Sequence, residues 1–150
     1  LSLLDVGSGR GVFLWPLLHS FYSLEVRAID LDEAQVEKIN AVNRGGVSNL
    51  RGEVMDLCQL YYEDDSFDVI TALEVLEHIK DYHRAMEELL RVAKSFVVLS
   101  VPSKEDDNPE HINLFTGKEL KGLFLSAGAQ SVTIDYVLNH IVLVVRVSDD

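Results

Sequence analysis

Near the start of the chain a short apolar run leads into three glycines at alternate positions: Leu3-Leu4-Asp5-Val6-Gly7-Ser8-Gly9-Arg10-Gly11. A run of that length and composition is a buried strand. Glycines directly behind it let the backbone fold back over the strand end, close to a neighbour that a Cβ would obstruct. The helix that follows then directs its free N–H groups over the carboxyl edge of a sheet, where open α/β sheets bind ligands. The spacing departs from the dinucleotide fingerprint G-x-G-x-x-G, whose third small residue would fall at Val12. A nucleoside ligand therefore fits better than NAD, and a tight turn without a ligand is the plain alternative.

Segments of strand and helix length alternate through the rest of the chain, which predicts a parallel sheet with helices on both faces. The first strand is expected over Leu1–Val6 and its helix from near Gly11 to His19, where Pro16 should kink the helix or shorten its first turns. The second strand is Leu24–Asp30. Asp32 and Glu33 favour a helix start behind it, and Gly45-Gly46 supply the stop. Leu50–Met55 reads as a short third strand, Glu63–Ser66 as a solvated turn and Phe67–Ala72 as the fourth strand. Tyr82, Ala85, Met86, Leu89, Leu90 and Ala93 recur at spacings of three and four behind Asp81, a capping residue type, and predict an amphipathic helix. Phe96–Val101 is the fifth strand, ended by Pro102. After a polar loop, Thr116-Gly117-Lys118-Glu119 is a capping box that opens a helix closing at Gly128. Ser131–Leu138 and His140–Val147 alternate around a turn near Asn139, so they must pair antiparallel.

With 150 residues the chain fits one domain, residues 1–150. It carries 25 acidic against 13 basic side chains, a net charge of −12, which would repel a phosphate backbone and excludes nucleic acid as a ready partner. Cys58 is the single cysteine, so no internal disulfide can form and a reducing cytoplasm is the expected location. No apolar run reaches the ~20 residues of a membrane span. The chain opens on a strand and without methionine, the expectation for a protein trimmed of an N-terminal segment.

Acidic residues at strand ends are the next candidates. Asp30 closes the second strand about 19 residues beyond Gly11, where a carboxylate either accepts from ribose hydroxyls or caps the next helix. Asp56 follows the third strand; its carboxylate could accept from an exocyclic amine while the Leu57 N–H donates to a ring nitrogen, together reading an adenine edge. A surface-turn aspartate is the bland reading there. Cys58 has no histidine at a motif spacing and reads as a small packed residue; Trp15, Tyr61 and Tyr62 could line a pocket, but aromatics near a core are usually just core and they are assigned no role. The histidines and carboxylates show no metal-ligand spacing such as H-E-x-x-H, so no metal is expected.

Taken in order, Leu3–Gly11, Ala28-Ile29-Asp30-Leu31, Met55-Asp56-Leu57 through Ser66-Phe67-Asp68, and Glu74-Val75-Leu76-Glu77-His78 resemble the class I S-adenosylmethionine-dependent methyltransferases. The likeness is strongest to the small-molecule branch typified by the ubiquinone-biosynthesis O- and C-methyltransferases. From Asp56 to Asp68 the spacing matches the family pattern D-A-x-x-L-P-F-x-D-x-S-F-D without a gap, with Leu57 in place of alanine and Tyr61 in place of proline. Ser8 stands where cysteine is common.

The resemblance implies a Rossmann-like three-layer fold with a mostly parallel seven-stranded sheet, order 3-2-1-4-5-7-6, and an antiparallel last strand. It implies S-adenosylmethionine as cofactor. Backbone around Gly7, Gly9 and Gly11 would hold its methionine portion, and Asp5 would organise the ammonium end with the Leu73 carbonyl. Asp30 and Leu31 would take the ribose side, Asp56 and Leu57 the adenine. The acceptor would lie against Glu74–His78, with His78 as the catalytic candidate to deprotonate a hydroxyl and His111 covering the acceptor pocket. Each histidine has a packing role as its alternative. His19, His83 and His140 read as structural or exposed. In related enzymes, residues ahead of the first strand commonly close over the acceptor.

The reading is thus methyl transfer to a small-molecule acceptor by direct displacement. Two rivals stand beside it. One is a non-catalytic S-adenosylmethionine-binding subunit or regulatory domain of the same fold. The other is an NAD-dependent oxidoreductase, which Val12 and the closing hairpin argue against.

Overall fold

The computed structural model describes residues 1–148. Seven strands form one sheet in the order β3-β2-β1-β4-β5-β7-β6. They are β1 (Ser2–Val6), β2 (Glu25–Asp30), β3 (Leu50–Val54), β4 (Phe67–Leu73), β5 (Ala93–Pro102), β6 (Ser131–Val137) and β7 (His140–Arg146). β1 to β5 are mutually parallel, and β7 runs antiparallel to both β5 and β6, as expected. The helices are α1 (Leu14–Ser20), α2 (Glu33–Arg44), α3 (Tyr82–Val92) and α4 (Gly117–Ser126), and a single 3-10 turn spans Leu76–His78.

Side-chain alternation along the strands makes two cores. Leu4, Val6, Ile29, Ile70 and Ala72 face a large cluster closed by Met86 and Leu89 of α3 and by Leu120 and Phe124 of α4. Leu3, Val26 and Ala28 face the opposite way, against Leu14 of α1 and Ile39 of α2. Each such fully buried aliphatic side chain contributes about 1.5–3 kcal/mol. The strands therefore read as continuous apolar runs because both faces are covered.

Local chemistry sets most boundaries. Asp32 caps α2 by accepting from the Ala34 N–H, Asp81 caps α3 by accepting from Arg84, and Thr116 with Glu119 closes a full capping box on α4. Two elements differ from the sequence expectation. The helix expected from near Gly11 starts only at Leu14, which puts Pro16 in its first turn. There a missing N–H costs nothing, so the helix is shortened rather than kinked. β5 begins at Ala93 rather than Phe96, because α3 passes into it with no intervening loop. At the other end of the molecule β6 and β7 meet in a two-residue turn in which Leu138 takes φ 53.

Candidate functional site at the carboxyl rim of the sheet

The three glycines of the first turn take left-handed φ values of 68, 50 and 74 at Gly7, Gly9 and Gly11. A Cβ on Gly7 would lie 2.9 Å from Val75 Cγ2, and one on Gly11 would enter the Trp15 ring. The first contact ties the glycine turn to the loop behind β4. Beneath the turn Asp5 is buried and accepts from the hydroxyls of Ser8 and Thr71, both at 2.6 Å. Burial pushes its carboxyl above the usual range, opposed by those two hydrogen bonds. Neither hydroxyl stands out in the sequence. Ser8 is three residues from Asp5, but Thr71 reaches it only through the β1–β4 register, where Asp5 pairs with Thr71.

Asp30 ends β2 with both carboxylate oxygens anchored. Oδ2 accepts from the Gly9 N–H at 3.0 Å and Oδ1 from the Asp32 N–H at 2.9 Å. It does not cap α2, which is the work of Asp32. The carboxylate keeps further acceptor positions that suit a pair of hydroxyls. Leu31 beside it is 70% exposed, an apolar surface at the rim. Behind β3, Asp56 Oδ1 accepts from the Cys58 N–H at 2.8 Å, fixing the turn that carries the buried Leu57. That turn is braced by Glu88, which accepts from the Leu60 N–H and from Arg91; Arg91 also donates to the carbonyls of Leu60 and Tyr62. The Arg91 guanidinium holds the Glu88 carboxyl below the usual range.

Asp5, Gly7, Gly9, Gly11, Asp30, Leu31, Asp56, Leu57 and Leu73 thus lie at or near the carboxyl ends of β1, β2, β3 and β4. The structure brings them to one rim. Val75 and Trp15 fill the space beside Gly7 and Gly11, whereas the side of Gly9 is open and the anchored Asp30 carboxylate stands against its N–H. These features fit an adenosyl cofactor with an amino-acid tail.

Beyond Leu73 the rim changes character. Glu74 takes φ 56, unusual for a non-glycine residue, and its N–H donates to the Ser100 carbonyl. Its carboxylate pairs with His140, while its Oε2 is buried without a hydrogen-bond partner. Glu77 is 0% exposed; no donor among the described residues satisfies its carboxylate oxygens, and the Glu74 carboxylate stands against it. Burial pushes its carboxyl up to about 8, and the charge of Glu74 adds to that. His78 and His111 lie edge to face with ring centroids 4.7 Å apart. The His78 Nδ1 meets the Glu110 carbonyl at 3.0 Å, and the His111 Nδ1 meets Asp106 at 2.7 Å. A cavity of about 350 Å³ opens here, with Glu74, Glu77, Asp106, His111 and His140 among its lining residues.

The sequence placed His78 and His111 near one another only through resemblance, and the structure sets them in contact. In the sequence Glu74 and Glu77 stand out only as part of the Glu74–His78 run, and His140, which reads as structural or exposed, pairs with Glu74 at the cavity. His140 lies 66 positions from Glu74, and nothing local in a carboxylate of the Glu74–His78 run signals complete burial.

Residues 4–100 match the family model described as a methyltransferase domain. The chain belongs to that family, and S-adenosylmethionine is the methyl donor that membership implies. Among curated relatives it is 30% identical over 128 residues to sterol 24-C-methyltransferase erg6 of Aspergillus fumigatus, covering 80% of this chain and 34% of that protein. It is 33% identical over 93 residues to the uncharacterized methyltransferase YcgJ of Bacillus subtilis, covering 61% of this chain and 36% of that protein. The chain therefore spans about a third of the length of these relatives. Among solved structures, a complex of the Haloferax volcanii Trm112 methyltransferase activator with a methyltransferase superposes with a TM-score of 0.83 at 18% identity, covering 97% of this chain and 82% of that one. Among the described residues no helix is long and apolar enough to cross a membrane.

Proposed function

We propose that this chain transfers the methyl group of S-adenosylmethionine to a small-molecule acceptor bound in the cavity behind β4. The observation that carries the reading is the contact between the two halves of the rim: Gly7 leaves room for Val75 by lacking a Cβ. A donor cradled by the glycine turn would therefore sit beside the loop that walls the cavity.

When bound, S-adenosylmethionine supplies an electrophilic methyl carbon on a sulfonium. The chain's own work is then placement. The turn at Gly7, Gly9 and Gly11 would seat the amino-acid tail with Asp5 and the Leu73 carbonyl. Asp30 with Leu31 would hold the ribose, and Asp56 with Leu57 the adenine. His111 would cover the acceptor, and the His78 Nε2, 3.7 Å from Glu77 Oε1, would receive an acceptor hydroxyl proton. Alignment of this kind can supply about 7–11 kcal/mol of a barrier.

A small molecule rather than nucleic acid is supported by the net charge of −12 and by relatives named for sterol and for sarcosine or dimethylglycine methylation. The likeness in sequence order to the ubiquinone-biosynthesis branch belongs to this proposal, as does a cytoplasmic location for a chain with one cysteine.

Calorimetry with S-adenosylhomocysteine followed by a methyl-transfer screen of hydroxyl, amine and carbon acceptors tests the reading. Binding and transfer are expected. Failure to bind S-adenosylhomocysteine would overturn it. Binding without transfer to any acceptor would support the second reading, a cofactor-binding subunit, which the fold likeness to a methyltransferase in complex with an activator favours.

A further inference from the structure

Glu77 is the least explained group in the molecule. It is wholly buried, with the Glu74 carboxylate within hydrogen-bond reach and the His78 ring 3.7 Å away, and no donor among the described residues satisfies either of its oxygens. Two such neighbouring carboxyls are costly unless a proton or a cation joins them.

Two imidazoles converge on it. One carboxylate oxygen of Glu77 and one ring nitrogen each from His78 and His111 lie within 4.8 Å of one another. The His78 Nε2 is 3.7 Å from Glu77 Oε1. Both rings are held from behind at Nδ1, by the Glu110 carbonyl and by the Asp106 carboxylate. Those oxygens can only accept, so each Nδ1 carries a proton, and in the neutral ring each Nε2 keeps its lone pair. An acceptor behind one imidazole nitrogen is what orients histidines that bind metal through the other.

We propose that Glu77, His78 and His111 form a binding site for a divalent transition-metal cation. One carboxylate with two imidazoles suits borderline first-row ions and leaves coordination positions open. Metal–ligand bonds of about 2.1 Å bring ligand atoms to roughly 3–3.5 Å apart, so the three groups would have to close in by up to about 1.5 Å to bind an ion. The open positions would face the cavity, able to take an oxygen or nitrogen of the acceptor. That last role rests on the methyl-transfer reading above, whereas the binding site itself does not. It also changes the part played by His78, from base to ligand.

The test uses the chain stripped of metal and titrated with Co2+, read by its visible absorption bands, with Zn2+ calorimetry alongside. One equivalent is expected to bind. Affinity should fall about 100-fold or more in Glu77→Gln and in His111→Gln, and about tenfold in the positioning variant Asp106→Asn, while His83→Gln leaves it unchanged. S-adenosylhomocysteine calorimetry on the same variants reports whether the cofactor half is intact. Cofactor binding with no Co2+ or Zn2+ uptake, or uptake indifferent to Glu77→Gln and His111→Gln, overturns the metal site and leaves the methyltransferase reading standing. Specific metal uptake in a chain that binds no S-adenosylhomocysteine supports the site and sinks the enzymatic reading instead.

Discussion

On the β1–β2–β3 side of the rim every acidic group that lines the cradle is held by protein. Asp5 accepts from Ser8 and Thr71, Asp30 from Gly9 and Asp32, and Asp56 from Cys58. On the β4–β5–β7 side the carboxylates are left wanting: both oxygens of Glu77 and one of Glu74 are buried without a partner. The first half is organised before any ligand arrives. The second holds two carboxyls against one another, a cost that a proton relieves near neutral pH and that a cation or a bound molecule would relieve in its place. One half is built to hold a constant group, the other to respond to what enters it.

The sharpest way to break the contrast is at the brace behind the Asp56–Leu57 turn. Glu88→Ala would leave the buried Leu60 N–H without its acceptor and remove two of the hydrogen bonds made by Arg91, and should cost about 3 kcal/mol in urea unfolding. Because Arg91 holds the Glu88 carboxyl low, its contribution is complete above the unfolded value of about 4.3 and fades as pH falls through the folded one. The gap between wild type and variant should therefore close in acid. A gap that persists there would show that packing, not charge, carries the effect.

Asp30→Asn sets an amide N–H against either Gly9 or Asp32 and removes the charge. S-adenosylhomocysteine affinity by calorimetry should drop about 10- to 100-fold with the fold intact. An unchanged affinity would remove Asp30 from the cradle.

On the opposite side the sign should invert. Glu77→Met replaces a buried carboxyl crowded by Glu74 with an apolar side chain of similar length, and should raise stability by about 1 kcal/mol in thermal unfolding while harming function. A destabilised variant would mean that Glu77 has a partner in solution.

The smallest effect is at Asp5. Burial raises its folded carboxyl, so its favourable contribution is present below the unfolded value of about 3.9 and is lost as pH rises through the folded one. Asp5→Asn should flatten that part of the stability–pH curve, by less than about 1 kcal/mol. An unaltered curve would show that the hydrogen bonds from Ser8 and Thr71 fully offset the burial.

The organised half was readable in the sequence because its signals are local. Positive φ at three alternate glycines, an acid at each strand end and a hairpin of alternating residues are properties of short windows. Caps at Asp81 and Thr116 were readable for the same reason. What could not be read depends on register between distant strands. Thr71 meets Asp5 across 66 positions, and His111 meets His78 across 33. The metal-ligand spacing absent from any single helix arises from two loops. Ala93-Lys94-Ser95 has little strand character, so the early start of β5 follows from pairing with β4, where Phe67 lies opposite Ala93.

Those two loops are sewn together by main chain. The Glu77 carbonyl accepts from the N–H groups of both Ile112 and Asn113, and the Asn113 amide donates back to the carbonyls of Leu76 and Ile79. None of these four bonds uses a side chain from positions 104 to 110. That stretch can therefore be exchanged, by mutation or by lineage, without loosening the seam. Selectivity for the guest would then drift along one exposed arc while the hinge beneath stays fixed.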